Sequence, residues 1–204
     1  PANIINAGDG DDKVVAGIGA DDIDGGNGKD VVSYERSVKG VDANLGTATG
    51  HGGSAEGDHY VNVEGLTGSV YDDTLTGDAN DNIFDGGAGA DHIDGGAGND
   101  TVDYSQAIDP AATGTQGVEI FLDGSASHGG QAEGDVLSNI ETVIGSDRDD
   151  RLHGGAGAET LHGGAGSDRL FGSAGADALD GGAGIDTADY SASASGVTVA
   201  LDGT

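Results

Sequence analysis

A nine-residue period runs through most of the chain. Gly86-Gly87-Ala88-Gly89-Ala90-Asp91-His92-Ile93-Asp94 is followed at once by Gly95-Gly96-Ala97-Gly98-Asn99-Asp100-Thr101-Val102-Asp103. The pattern is G-G-x-G-x-D-x-U-x, with U apolar. Carried along in register, it forms three blocks. The sixth position is Asn3, Asp12, Asp21 and Asp30 in the first, then Asp73, Asn82, Asp91 and Asp100. In the third it is Asp150, Glu159, Asp168, Asp177 and Asp186. The eighth position is the stricter test. It holds Ile5, Val14, Ile23, Val32, Leu75, Phe84, Ile93, Val102, Leu152, Leu161, Leu170, Leu179 and Ala188, all apolar in a chain that is 35% hydrophobic. A sustained fixed period of this kind marks a repeat architecture rather than a scattered glycine-rich motif.

The period dictates a local structure. G-G-x-G-x-D makes a turn, and x-U-x makes a strand of three residues. On a strand the flanking side chains point away from the central one, so U faces inward and its neighbours face out. Two nonapeptides complete a coil, and successive coils stack as parallel strands about 4.8 Å apart. Like turns then lie over like turns, eighteen residues apart. The expected fold is all-β, a parallel β-roll of stacked coils, with no helix.

A longer period is superimposed. Asp30 to Tyr34, Asp100 to Tyr104 and Asp186 to Tyr190 each close a block with a tyrosine four residues after the acid. Each tyrosine is expected to pack its amphipathic ring at a block end. Alternating segments follow: Gly40–Leu45 matches Gly117–Leu122 and Gly196–Leu201, and these read as longer strands. His51–Asp58 matches His128–Asp135, and Val63–Ser69 matches Ile140–Ser146. The chain therefore divides into repeat blocks at 1–33, 68–103 and 145–189, connecting β segments at 34–67 and 104–144, and the start of a third connector at 190–204. Residues 105–116, longer than their counterpart 35–39, read as a surface insertion. The start at Pro1 and the stop at Thr204 read as a monomeric piece of a longer protein.

Composition narrows the function. The formal net charge is −30, from 37 acids against 7 bases. Such a surface repels nucleic acid and anionic membranes and attracts cations. The 42 glycines carry a large ordering entropy. Eight aromatic residues, five Tyr and three Phe, offer little core to offset it. There is no cysteine, and no apolar run long enough to span a membrane. The six histidines lack the close paired spacing of zinc ligands. No G-x-S-x-G elbow is present, and paired carboxylates are too numerous to single out a general acid and base. The fragment is expected not to be an enzyme. The pairs Glu56/Asp58 and Glu133/Asp135 read as solvated polar turns, with a further cation site as the competing reading.

The nonapeptides resemble the RTX, or haemolysin-type, repeat family, over roughly residues 3–33, 68–103 and 145–189. The connectors are also similar, more weakly, to the repeat modules of secreted alginate epimerases. The resemblance implies several bound calcium ions, export by a type I secretion apparatus, and a secreted, extracellular or cell-surface location. It assigns metal binding to Asp12, Asp21, Asp30, Asp73, Asn82, Asp91, Asp100, Asp150, Glu159, Asp168, Asp177 and Asp186. It assigns it also to the turn glycines Gly86, Gly87, Gly89, Gly95, Gly96, Gly98, Gly163, Gly164, Gly166, Gly181, Gly182 and Gly184. Calcium takes six to eight oxygens, so a carboxylate and glycine carbonyls of one turn are expected to share an ion with the turn eighteen residues on. The pairs are Asp12–Asp30, Asp73–Asp91, Asp150–Asp168 and Asp168–Asp186 on one edge, and Asn3–Asp21, Asn82–Asp100 and Glu159–Asp177 on the other. Asn3, Asn82 and Glu159 stand where the acid is Asp, and Tyr71 and Arg148 where the fourth glycine belongs, so sites using those turns should bind weakly or not at all. The leading functional expectation is a calcium-folded module that supports secretion and stability of a larger protein. The alternatives are an adhesin or polysaccharide-binding module, or an accessory module of a polysaccharide-modifying enzyme or toxin.

Overall fold

The computed structural model describes residues 1–107 and 116–193. The expected strand Gly196–Leu201 and most of the 105–116 insertion lie outside them. The fold is the expected roll. Parallel three-residue strands alternate between two faces, and the apolar eighth positions point inward from both. Two single-turn 3-10 segments, Gly53–Ala55 and Gly130–Ala132, depart from an all-strand reading.

The second face is one unbroken eight-stranded sheet. Its inward column runs Val14, Val32, Leu66, Phe84, Val102, Val143, Leu161, Leu179, each paired in register with the next. Leu66 and Val143 come from the connectors, so these segments continue the roll. They do it with irregular spacing: Val32 pairs with Leu66, and Val102 with Val143.

The first face accommodates the surplus residues. Its column begins Ile5, Ile23, Tyr60. It resumes as Ala43, Leu75, Ile93, Leu137, and again as Ile120, Leu152, Leu170, Ala188. At the first break, strand Thr49–His51 runs antiparallel between Asp42–Asn44 and His59–Val61. At the second, a separate sheet starts with Gln116–Phe121. In the first connector the first face thus gains two strands, about 10 Å, that the second face does not. The roll must bend there, convex on the first face.

Every block starts at the same edge. Asn3–Asp21 therefore lies with Asp73–Asp91 and Asp150–Asp168, where the chain returns from the second face to the first. Asp12–Asp30 lies with Asn82–Asp100 and Glu159–Asp177 on the opposite edge. This corrects the edge assignment read from the sequence for the first block. The connectors carry their own rung of strands, so counting nonapeptides within a block does not carry its phase into the next.

The tyrosines do more than cap. Tyr34 and Tyr104 are fully buried. Their hydroxyls donate to Asp58 Oδ2 at 2.8 Å and Asp135 Oδ2 at 2.7 Å. Burial holds both phenols well above their usual range, reinforced at Tyr34 by the Tyr60 hydroxyl and then Asp58, and at Tyr104 by Asp135. Asp58 and Asp135 are accordingly not solvated turn residues; they are buried anchors that tie each connector to the preceding block. Glu56 and Glu133 do sit in exposed turns, accepting from Gly52 and Gly129 N–H.

Phe84 lies at the centre of the unbroken column and is fully buried. Phe84→Ala is expected to cost about 3–5 kcal/mol in denaturant unfolding of the calcium-loaded protein, against under about 0.5 kcal/mol for exposed Val70→Ala.

Candidate metal centre

At the turns, the sixth-position acids form ladders. Each backbone N–H at this position donates to the acid one coil further on. Asp150 N–H donates to Asp168 Oδ1 at 2.8 Å, and Asp168 N–H to Asp186 Oδ1 at 3.0 Å. The same bond joins Asn3 to Asp21, Asp12 to Asp30, Asp73 to Asp91, Asn82 to Asp100, and Glu159 to Asp177. All seven expected pairs are thus stacked neighbours. At the block ends the ladder passes into the connectors: Asp21 N–H donates to Asp58, Asp91 N–H to Asp135, Asp30 N–H to Glu64 and Asp100 N–H to Glu141.

One carboxylate oxygen is occupied by this bond. The other decides what the site can hold. Among the described residues, Asp12, Asp21, Asp30, Asp91, Asp100 and Asp168 each bury Oδ2 with no hydrogen-bond partner, as Glu159 buries Oε2. Asp21, Asp30, Asp91, Asp100 and Asp168 are at most 1% exposed. A buried ionised oxygen without a donor costs several kcal/mol unless a cation faces it. Carbonyls add to the problem. A side chain at Gly163 would collide with both Asp168 Oδ2 and the Gly181 carbonyl oxygen, so the two acceptors converge on one spot. No three His, Asp or Glu side chains gather anywhere among the described residues. Any ion bound at these turns must therefore be completed by backbone carbonyls, the hard oxygen donors that calcium favours. The donor set fits the ion, and the chain's part is to present carboxylate and carbonyl together in a rigid stack.

Not every turn is of this kind. Asp73 Oδ2 accepts Ser69 N–H at 2.5 Å, and Asp150 Oδ2 accepts Ser146 N–H at 2.5 Å. The serine hydroxyls donate to the Oδ1 atoms, as do the N–H groups of Val41 and Val118. These carboxylates are satisfied by protein donors. Asn82 Oδ1 likewise accepts Asp78 N–H, whereas at Glu159 only Oε1 is met, by Gly157 N–H, and Oε2 stays unpartnered. These are the opening turns of blocks two and three, two of which carry Tyr71 and Arg148 in place of glycine. The cause is local. In turn 86–91 the second glycine, Gly87, has φ 87° and donates to Asp85, the last residue of the preceding repeat. Gly182, with φ 83°, donates to Asp180 in the same way. Turns 68–73 and 145–150 have serine at this position, outside the positive-φ range that Gly87 and Gly182 adopt. Their N–H groups turn inward to the sixth-position acid.

Sequence reasoning missed a second ladder. The fifth-position acids Asp11, Asp72, Asp81 and Asp149 accept the N–H groups of Lys29, Ala90, Asn99 and Ser167, each eighteen residues on. The doubled acids Asp11-Asp12, Asp72-Asp73 and Asp149-Asp150 were the available signal.

Burial raises the acids' affinity for protons in the metal-free fold. Asp91 is pushed up to about 8, by burial and then by Asp135. Asp100, Asp135 and Asp150 rise to about 6, burial again leading. Folded values above unfolded ones mean that stability is fully present below about pH 4 and falls as pH rises through 6 to 8. In EGTA, circular dichroism is expected to show more β structure at pH 4.5 than at pH 8, and calcium binding at pH 7 to release protons.

The chain matches the family model of the RTX calcium-binding nonapeptide repeat in four copies, over residues 2–32, 67–102, 137–168 and 153–188. No curated protein matches it. The four copies together take in more than half of the chain and cover nearly all the laddered acids. The repeat spacing, the stacked turns and the converging acceptors agree: the chain belongs to the RTX calcium-binding nonapeptide repeat family, and is a calcium-binding repeat module.

Proposed function

We propose that this module is a calcium-gated folding unit of a secreted protein, exported unfolded through a type I secretion apparatus and folded outside the cell, where it stabilises what it is attached to. The observation that carries this reading is the set of seven acidic side chains, among the described residues, that each bury an oxygen no protein group satisfies. Without metal the fold has to bury unpaired charge in a chain of net charge −30. With metal, each site adds RT ln(1 + [L]/Kd), about 2.7 kcal/mol at a hundredfold excess of calcium. Extracellular calcium modules bind with Kd of about 10⁻⁴ to 10⁻³ M, far above cytosolic calcium, so the fold is favoured only outside.

In this reading the fragment has no turnover of its own. Its carboxylates are committed to backbone N–H groups and to the ion. The polysaccharide-binding reading would draw on the outer face of the third sheet, where Arg151 and Arg169 lie beside Phe121, His153 and Phe171. There the rings stack on each other, with centroids 4.4 and 4.1 Å apart and planes within 15°. Their flat faces are turned to one another and not left open for a sugar ring. Arg169 is ion-paired with Asp189. These contacts favour the folding-module reading.

Circular dichroism and size-exclusion chromatography at pH 7.5 are expected to show an expanded chain in EGTA and a compact β fold in millimolar calcium. An identical folded spectrum in both would overturn the reading. Asp168→Ala is expected to raise the calcium midpoint of folding several-fold, and Asp73→Ala, in a turn already closed by Ser69, to raise it less.

A further inference from the structure

We propose that Asn62 with Glu64, and Asn139 with Glu141, convert the last turns of the first two blocks into two further divalent-cation sites, with calcium the ion their oxygens suit. The inference rests on the calcium-binding reading and completes these turns with ligands from outside the nonapeptide consensus.

The last turns, 25–30 and 95–100, have no nonapeptide turn above them. The chain instead crosses between the faces in three residues, Asn62–Glu64 and Asn139–Glu141, between strands His59–Val61 and Gly65–Thr67, and between Val136–Ser138 and Thr142–Ile144. Within a block, the turn above supplies two things: a carbonyl against the first glycine and a carboxylate that accepts the sixth-position N–H. Turn 181–186 does this for turn 163–168, through the Gly181 carbonyl and Asp186. The short crossings supply the same two groups from different residues. The Asn62 carbonyl lies against Gly25, and the Asn139 carbonyl against Gly95, so close that a side chain on either glycine would collide. Glu64 Oε2 accepts Asp30 N–H at 2.9 Å, and Glu141 Oε2 accepts Asp100 N–H at 2.9 Å. The longer glutamate side chain spans the height that a full turn would otherwise fill.

The asparagines are held in place for this. Asn62 and Asn139 have φ of 49° and 51°, a left-handed conformation that asparagine tolerates better than other side chains with a Cβ. Their side-chain amides donate to Asp24 Oδ1 at 2.9 Å and Asp94 Oδ1 at 2.7 Å, fixing the carbonyls against the turns.

An independent observation points to a ligand. Asp30 and Asp100 are 1% and 0% exposed, and Oδ2 of each has no partner. These oxygens lie beside the same glycines as the asparagine carbonyls. Carboxylate and carbonyl are both acceptors, and no donor stands between them. A cation satisfies both, and the second carboxylate, from Glu64 or Glu141, balances its charge. The other explanation, that the glutamates merely cap an N–H, leaves the buried Oδ2 atoms unexplained.

The test is the calcium stoichiometry of the full chain by native mass spectrometry and calorimetry, wild type against the double variant Glu64→Gln, Glu141→Gln. Glutamine keeps one acceptor oxygen for the Asp30 or Asp100 N–H group, removes the charge and turns the other oxygen into an amide donor. The expected result is loss of two ions per chain, or a drop of more than tenfold in affinity for two of them, with the remaining ions retained. If the double variant fails to fold, the single variants Glu64→Gln and Glu141→Gln are measured instead, each expected to lose one ion and each overturning the proposal if its ion count and affinities are unchanged. An unchanged ion count with unchanged affinities overturns it. If the wild type itself binds no calcium, the calcium-folding reading fails first.

Discussion

The structure depends on an imbalance of hydrogen-bonding groups at its edges. Turns made of glycine, aspartate and little else bring carbonyl and carboxylate oxygens together and supply too few N–H groups to meet them. The ladder of sixth-position N–H groups satisfies one oxygen of each acid. It leaves the other buried and facing more oxygen. At neutral pH and above a hard cation resolves that arrangement. Because the acceptors come from two coils, the ion that satisfies them also joins the coils, and binding becomes inseparable from stacking.

The core is correspondingly thin. Each coil contributes one inward side chain per face, and the second face strings eight of these into a continuous column. The two connectors keep that column intact with Leu66 and Val143 while expanding the first face. Tyr34 with Asp58, and Tyr104 with Asp135, pin the expansions to the blocks below through buried hydroxyl–carboxylate bonds. The connectors are therefore structural rungs that also terminate the ladders, since Asp58, Glu64, Asp135 and Glu141 accept the last N–H group of each.

Much of this was legible in the sequence because a strict period converts directly into geometry. Eighteen-residue spacing paired Asp12 with Asp30 and Asp168 with Asp186, and inward eighth positions gave the parts of both columns that lie within the blocks. What escaped was whatever broke the period. The edge on which Asp12 falls depends on a rung supplied by irregular segments. Glu64 and Glu141 act as sixth-position residues from three-residue crossings that share no glycine pattern with the repeats. The satisfied state of Asp73 and Asp150 depends on where one N–H points. Serine at 69 and 146, in place of the second glycine, was a local signal, but its consequence appears only once the turn's hydrogen bonds are traced.

The most direct measurement is a crystal structure grown in millimolar calcium, with the ions located by their anomalous scattering. The account predicts an ion between turns 163–168 and 181–186, bound by Asp168, and none between turns 145–150 and 163–168, where Ser146 already satisfies Asp150. A map with no ion at Asp168, or with ions at Asp73 and Asp150 in preference to it, would contradict the claim that donorless carboxylate oxygens decide where calcium binds and hold the roll together.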